Sequence, residues 1–249
     1  MRTFPTIVLS LAAVLLAGCA TTKNRVIVLG MIHSGHRTSE IYSLDVLRDA
    51  IEKIDPDFVL CEIPPDRFEA ARDEFAADGK ITEPRVSRFP EYVDVVFPLT
   101  KTMDFEIVPC AGWTKAMSDD RNAKLKRWAT ERPDETAEVN AAEAKVEAIM
   151  ASEGDPNDPL YIHTDHFDEL VKEALEPYDR LFNDDLGPGG WTNINKAHSA
   201  LIETALDEHS GEGETILITF GAWHKYWFLE QLRLRDDIEI VDSRVFFEH

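Results

Sequence analysis

The sequence predicts an α/β fold, with a mostly parallel central sheet, helices on both faces and a helical insertion or cap. Three observations carry this expectation. Short, continuous apolar runs of the buried-strand type recur at residues 25–30 (RVIVLG), 58–63 (FVLCEI), 105–110, 216–220 and 238–241. Helical patterns separate the early runs, so strands alternate with helices. From about residue 118 to 190 the chain turns into charged, Ala- and Glu-rich helical sequence, which reads as a cap over the sheet rather than a separate domain.

At the amino terminus Arg2 supplies a positive charge, and residues 7–16 are apolar apart from Ser10. That run is shorter than the roughly 20 residues of a spanning helix and suits a secretory signal. It ends in Leu16-Ala17-Gly18-Cys19, which resembles the lipobox of bacterial lipoproteins. The resemblance implies a signal peptide over residues 1–18, cleavage before Cys19, lipid on its sulfur and a short tether over residues 19–24. It also implies a lipid-anchored place in the bacterial cell envelope, with the membrane as partner through Cys19. By resemblance to Gram-negative sorting, the neutral Ala20 points to the outer membrane. Residues 25–249 suffice for one domain with a full core.

Following the first strand, residues 39–54 form an amphipathic helix, with Ile41, Leu44, Leu47 and Ile51 spaced by three and four. Pro64-Pro65 ends the second strand and opens a helix to about residue 77. Residues 115–153 read as two charged helices broken at Pro133. The stretch DPNDP at 155–159 is a turn cluster. A flexible loop at 186–191 leads into a helix over about 193–208.

The chain carries 26 Lys and Arg against 47 Asp and Glu, a formal net charge of −21. Such a surface repels phosphate backbones, so no nucleic-acid partner is expected. Cys61 and Cys110 close predicted strands; buried free thiols are the default, and a single disulfide is the alternative in an oxidising compartment.

Two segments share one design. VIVLGMIH ends in His33 and ILITFGAWH ends in His224, each an apolar strand followed by Gly, two residues and His. At the carboxyl end of a parallel strand, this spacing aims the imidazole into the ligand-binding crevice. Glu62 closes FVLCEI after four apolar residues, where a carboxylate is costly unless paired or coordinated. His33, Glu62 and His224 make a ligand set for a divalent metal (Mn, Zn, Co or Fe); a salt bridge from Glu62 to Arg25, or a helix cap, is the alternative.

The pattern of GMIH, a strand-terminal Glu, and GAWH before a final helix and strand resembles the TraB/PrgY/GumN–Tiki superfamily, remote kin of erythromycin esterase and of the haem-binding lipoprotein ChaN. The resemblance runs from Val26 to Val241 on few positions. It implies that the two His and the Glu converge, and that the activity is metal-dependent and peptidase-like. The family's Arg-Asn pair, which the resemblance implies binds substrate or an oxyanion, is only partly matched: Asn195 or Asn193 falls on the expected helix without the Arg, while Arg121-Asn122 has the right letters earlier in the chain, which makes Arg121 a substrate-binding candidate.

Further candidates are His36 for substrate binding, Lys225 to stabilise developing negative charge, and Tyr226 as a proton donor or haem ligand. Trp113, Trp223 and Trp227 read as core and pocket wall. His163 and His166, with Asp165 and Asp168, have the look of a second metal tract but read first as a solvated helix start, and His198, His209 and His249 read as ordinary. No serine lies in a nucleophile-elbow context. Three expectations follow: a metal-dependent hydrolase of peptides or small molecules, with Glu62, Asn195 and Lys225 as catalytic groups; a haem- or iron-binding lipoprotein; and a non-catalytic peptide-sequestering protein.

Overall fold

A computed structural model describes residues 22–248. The expected signal peptide, the lipid site Cys19 and the carboxyl-terminal His249 lie outside the described residues. No helix among the described residues is long and apolar enough to cross a membrane.

Five strands of the described residues form one all-parallel sheet in the order β3-β2-β4-β1-β5. They are β1 (Asn24–Met31), β2 (Phe58–Cys61), β3 (Glu106–Pro109), β4 (Thr215–Gly221) and β5 (Ile238–Ile240). The α/β expectation is met. The domain begins earlier than the expected tether boundary at residue 24. Asn24 is buried in β1, its Nδ2 donates to the His209 carbonyl at 2.7 Å, and its Oδ1 accepts from the Gly213 and Glu214 amides.

The strands are apolar on both faces because both are covered. Ile27, Leu29, Val59, Cys61 and Leu217 pack on one side with α1 (Leu44–Ile54) and α2 (Pro65–Asp78). Val26, Val28, Leu60, Ile216 and Ile218 face α8 (Trp191–Glu208) and α9 (Lys225–Leu232) on the other. Cys61 and Cys110 fall in these two different clusters and are free, buried thiols. Helix α1 starts at Leu44, not at residue 39, because Ser43 caps it by accepting the Val46 amide proton.

Between α2 and β3 the chain forms a π-helical turn, Glu91–Val96, which runs on into the short α3 (Phe97–Leu99). The charged middle forms α4 (Lys115–Glu131) and α5 (Pro133–Glu153), with Pro133 at the break. The short α6 (Pro159–Ile162) and the long α7 (Asp165–Leu186) follow. Val146 and Met150 of α5, with Phe167, Leu170, Val171 and Ala174 of α7, join the main core. Trp128, Val139, Tyr178, Phe182 and Leu186 make a smaller cluster farther out. The expected loop at 186–191 is a 3-10 turn, Gly187–Gly189, and α8 begins at Trp191.

Candidate functional site

The two Gly-x-x-His segments lie side by side because β1 and β4 are neighbours, with Gly30 opposite Phe220 and Met31 opposite Gly221. Both glycines sit where a side chain would collide. A Cβ on Gly30 would stand 2.9 Å from the Ala222 Cα, and one on Gly221 would stand 2.7 Å from the His33 Nε2. Past Met31 the chain turns so sharply that His33 adopts a left-handed backbone, φ 50°, a conformation that costs energy for a residue with a Cβ.

His33 is fixed by a residue that the sequence reading did not single out. Its Nδ1 lies 2.6 Å from Oε1 of Glu91 on the π-helical turn, so Nε2 is left free to accept a proton. Glu91 is fully buried, and its Oε2 has no hydrogen-bond partner. On the other side, Nε2 of His33 is 3.8 Å from Oε2 of Glu62. Burial opposes a charge on His33, but the Glu91 hydrogen bond and the two carboxylates outweigh it and hold the imidazole above its usual pKa. Burial likewise raises the Glu62 carboxyl, against the pull of His33 and of the Gly221 amide, which donates to Oε2 at 2.8 Å. Neither alternative partner for Glu62, Arg25 or a helix cap, is used.

Tyr92, beside Glu91, ties the strand ends together. Its hydroxyl accepts from the Glu62 amide and donates to the Thr219 carbonyl, both at 2.8 Å. The π-helical turn therefore places successive side chains on the two halves of the site, in keeping with the frequency of such turns at functional positions.

His224 is held from α8. Its Nδ1 donates to Asn195 Oδ1 at 2.7 Å, Asn195 Nδ2 donates to the Trp191 carbonyl, and the Trp191 ring stacks on the imidazole at 4.6 Å. Burial, together with His198 and His33, pushes His224 well below its usual pKa, so it is neutral with Nε2 free. Asn195 thus orients His224, and Asn193 donates to the Gly187 carbonyl.

A cavity of about 600 Å³ opens beside both imidazoles. Its walls are Met150 of α5, Ile162 of α6, Phe167 of α7, Trp191 and Trp223, so the helical region does cap the strand ends. Glu62 faces a second, smaller cavity of about 230 Å³ with Arg88, Trp113, Arg121 and Asn122.

Three expected site residues lie elsewhere. His36 is buried: its Nε2 accepts the Ile32 amide proton and its Nδ1 donates to the Tyr42 carbonyl, so both nitrogens brace the loop that carries His33. Lys225 is 2 % exposed and pairs with both oxygens of Asp168 at 2.6 Å, pinning α9 to α7. The Tyr226 hydroxyl accepts from Trp191 Nε1 at 2.7 Å, which supports the ring stacked on His224. Arg121 does line the smaller cavity, with its Nε donating to the Tyr178 hydroxyl.

Two histidines read as unimportant are structural. His163 is buried, not solvated; its Nε2 accepts the Gly30 amide proton at 2.9 Å and its Nδ1 donates to the Pro159 carbonyl. His198 accepts the Gly112 amide proton on Nδ1, backs edge-on against His224 at 5.2 Å, and leaves Nε2 buried without a partner.

His33 Nε2, Glu62 and His224 Nε2 are donors of the type that hold zinc or iron, and each imidazole has the oriented second nitrogen usual in metal sites. Yet among the described residues no three His, Cys, Asp or Glu side chains gather closely enough to hold a metal ion. Of the three expected ligands, His33 and Glu62 approach to 3.8 Å.

No protein-family model matches the chain. No curated protein and no solved structure matches it either.

Proposed function

We propose that this protein is a hydrolase of the cell envelope, lipid-anchored through Cys19, that cleaves peptide-like or other small acyl substrates at His33. The observation that carries the reading is the pair of buried Glu91 and half-buried His33 at 2.6 Å, which holds a free Nε2 beside a cavity on a strained backbone. An imidazole whose Nδ1–H is fixed by a buried carboxylate is oriented to take a proton at Nε2. In the proposed step, water gives a proton to His33 Nε2 while its oxygen bonds to the substrate carbonyl carbon. The carbon–heteroatom bond then breaks and the proton passes from His33 to the leaving atom. The nearby Glu62 carboxylate stabilises the imidazolium in between, and neutral His224 accepts a hydrogen bond from the substrate. The likeness of the two Gly-x-x-His motifs to the TraB/PrgY/GumN–Tiki superfamily supports the same reading. A divalent metal would add Lewis acidity, but the three donors do not form one ligand set as placed.

The test is turnover of a panel of short apolar peptides and acyl esters by the protein and its His33→Ala variant, each with chelator and with Mn, Zn, Co or Fe added. Loss of about 10²-fold or more in kcat/KM on removing His33 is expected. Equal rates in the two proteins, or no turnover of any substrate under any metal condition, would sink the hydrolase.

A second reading, haem binding, is supported by the apolar 600 Å³ cavity with two free Nε2 atoms on its lining. A Soret band on haem titration that disappears in the His33→Ala/His224→Ala protein would favour it. Tyr226 is not available as a haem ligand there, since it supports Trp191.

A further inference from the structure

The smaller cavity carries an unusual charge. Arg85, Arg88 and Arg121 all line it, together with one carboxylate, Glu62. Among the described residues none of the three arginines pairs with a carboxylate, whereas Arg132, Arg180, Arg235 and Arg244 each hold one or more. The acids nearest in sequence to Arg121 are already taken: Lys115 pairs with Asp119 and Lys124 with Asp120. In a chain with 47 acidic residues and a net charge of −21, three guanidinium groups without an ion-pair contact, facing a single carboxylate that Arg88 attracts at longer range, go against the general pattern.

Their settings differ but all hold charge at the cavity. The Arg121 guanidinium lies over the Tyr178 ring at 5.7 Å, donates through Nε to its hydroxyl and donates through Nη1 to Asn122 Oδ1 at 3.5 Å. Arg88 lies over the Phe89 ring at 5.0 Å, and that ring in turn packs 4.8 Å from His33. Arg85 follows a turn in which Glu83 Oε2 accepts its amide proton. Aromatic faces stabilise a guanidinium without neutralising it, and a guanidinium presents paired N–H groups that match an oxyanion. Phe89 and Trp113 give the cavity low-dielectric walls that strengthen such contacts.

The His33–Glu62 pair stands between the two cavities: His33 lines the apolar one and Glu62 the arginine-lined one. The geometry points to an amphiphilic substrate, with an apolar group in the 600 Å³ cavity and an oxyanion end, carboxylate or phosphate, on Arg85, Arg88 and Arg121. The bond to be cut then lies between the two ends, beside His33. This assignment deepens the hydrolase reading and rests on it for the cleavage, but the binding stands or falls separately.

The experiment is calorimetric titration with three probes whose alkyl chains differ by at most one carbon: hexanoyl-glycine, hexanoyl-glycinamide and hexyl phosphate. The proteins are the unaltered one, His33→Ala, Arg121→Gln and Arg85→Gln/Arg88→Gln, with thermal unfolding recorded to confirm that each is folded. Hydrogen bonds to a charged group predict about 10- to 100-fold tighter binding of at least one anionic probe than of the neutral amide. That preference should persist in His33→Ala, weaken with salt, and fall toward unity in the arginine variants. Preference for the glycine conjugate assigns a carboxylate, and preference for hexyl phosphate assigns a phosphate. Equal binding of amide and anions, or a preference that survives loss of the arginines, overturns the assignment. If the preference is found but no panel substrate turns over, the oxyanion site stands and the hydrolase falls.

Discussion

At the scale of single residues, the His33–Glu91 pair sets a measurable acid–base property. Glu91 raises the His33 pKa, so the imidazole loses its proton above the ordinary value near 6.5. A base at His33 therefore gains activity as pH rises through that raised value. Replacing Glu91 by Gln removes the stabilising charge. The expected outcome is a His33 titration midpoint moved to lower pH, read by NMR of the imidazole, with kcat/KM reduced by about 10²-fold. An unmoved midpoint would mean that Glu91 does not govern His33. Glu91 was hidden in FPEYVDVVF because nothing in the spacing marks it, although a carboxylate among apolar residues carries the same burial signal that singled out Glu62.

At the scale of elements, strands and helices were largely legible and their tethers were not. The apolar runs located every strand of the sheet to within two residues, because a strand covered on both faces must be apolar throughout. The π-helical turn was unreadable, since its extra residue per turn leaves no trace in composition. Lys225 was misplaced for a related reason. Directly after His224 it looked catalytic, yet α9 begins at that residue and rotates its side chain onto Asp168. Burial pushes the Asp168 carboxyl up and the Lys225 amine down, each against its partner's attraction. Lys225→Ala is expected to cost about 3–5 kcal/mol by stranding a buried charge, while replacing Lys225 and Asp168 together by Met and Leu recovers most of it. Urea unfolding of the single and double variants checks this; a single variant as stable as the unaltered protein would count against a linkage between α7 and α9.

For the whole molecule, burial pushes His163 and His198 down to about 3 and His224 well below the usual value. All three are neutral in the fold, whereas the unfolded chain takes up their protons near pH 6.5. The contribution of each is therefore complete above about pH 6.5 and declines as pH falls, for His163 and His198 toward about 3. Each contributes a slope of about 1.4 kcal/mol per pH unit in that window. In His163→Gln the slope of unfolding free energy against pH near pH 5 should be smaller by about that amount. An unchanged slope would show that His163 is protonated in the fold. The convergence of His33, Glu62 and His224 on one end of the sheet was legible from the two Gly-x-x-His motifs and the strand-terminal Glu. The arginine-lined cavity was not, because Arg121 lies on α4, more than 30 residues from Arg85 and Arg88, and only the tertiary fold brings it to them.

The strand order has a consequence for synthesis. β4 occupies the centre of the sheet, between β1 and β2, yet it leaves the ribosome about 150 residues after β2. At roughly 5–20 residues per second, that leaves the nascent chain about 8–30 s with two apolar strands and no partner to join them. Completion of the central seam, and with it the meeting of His33 and His224, must wait until translation is nearly over.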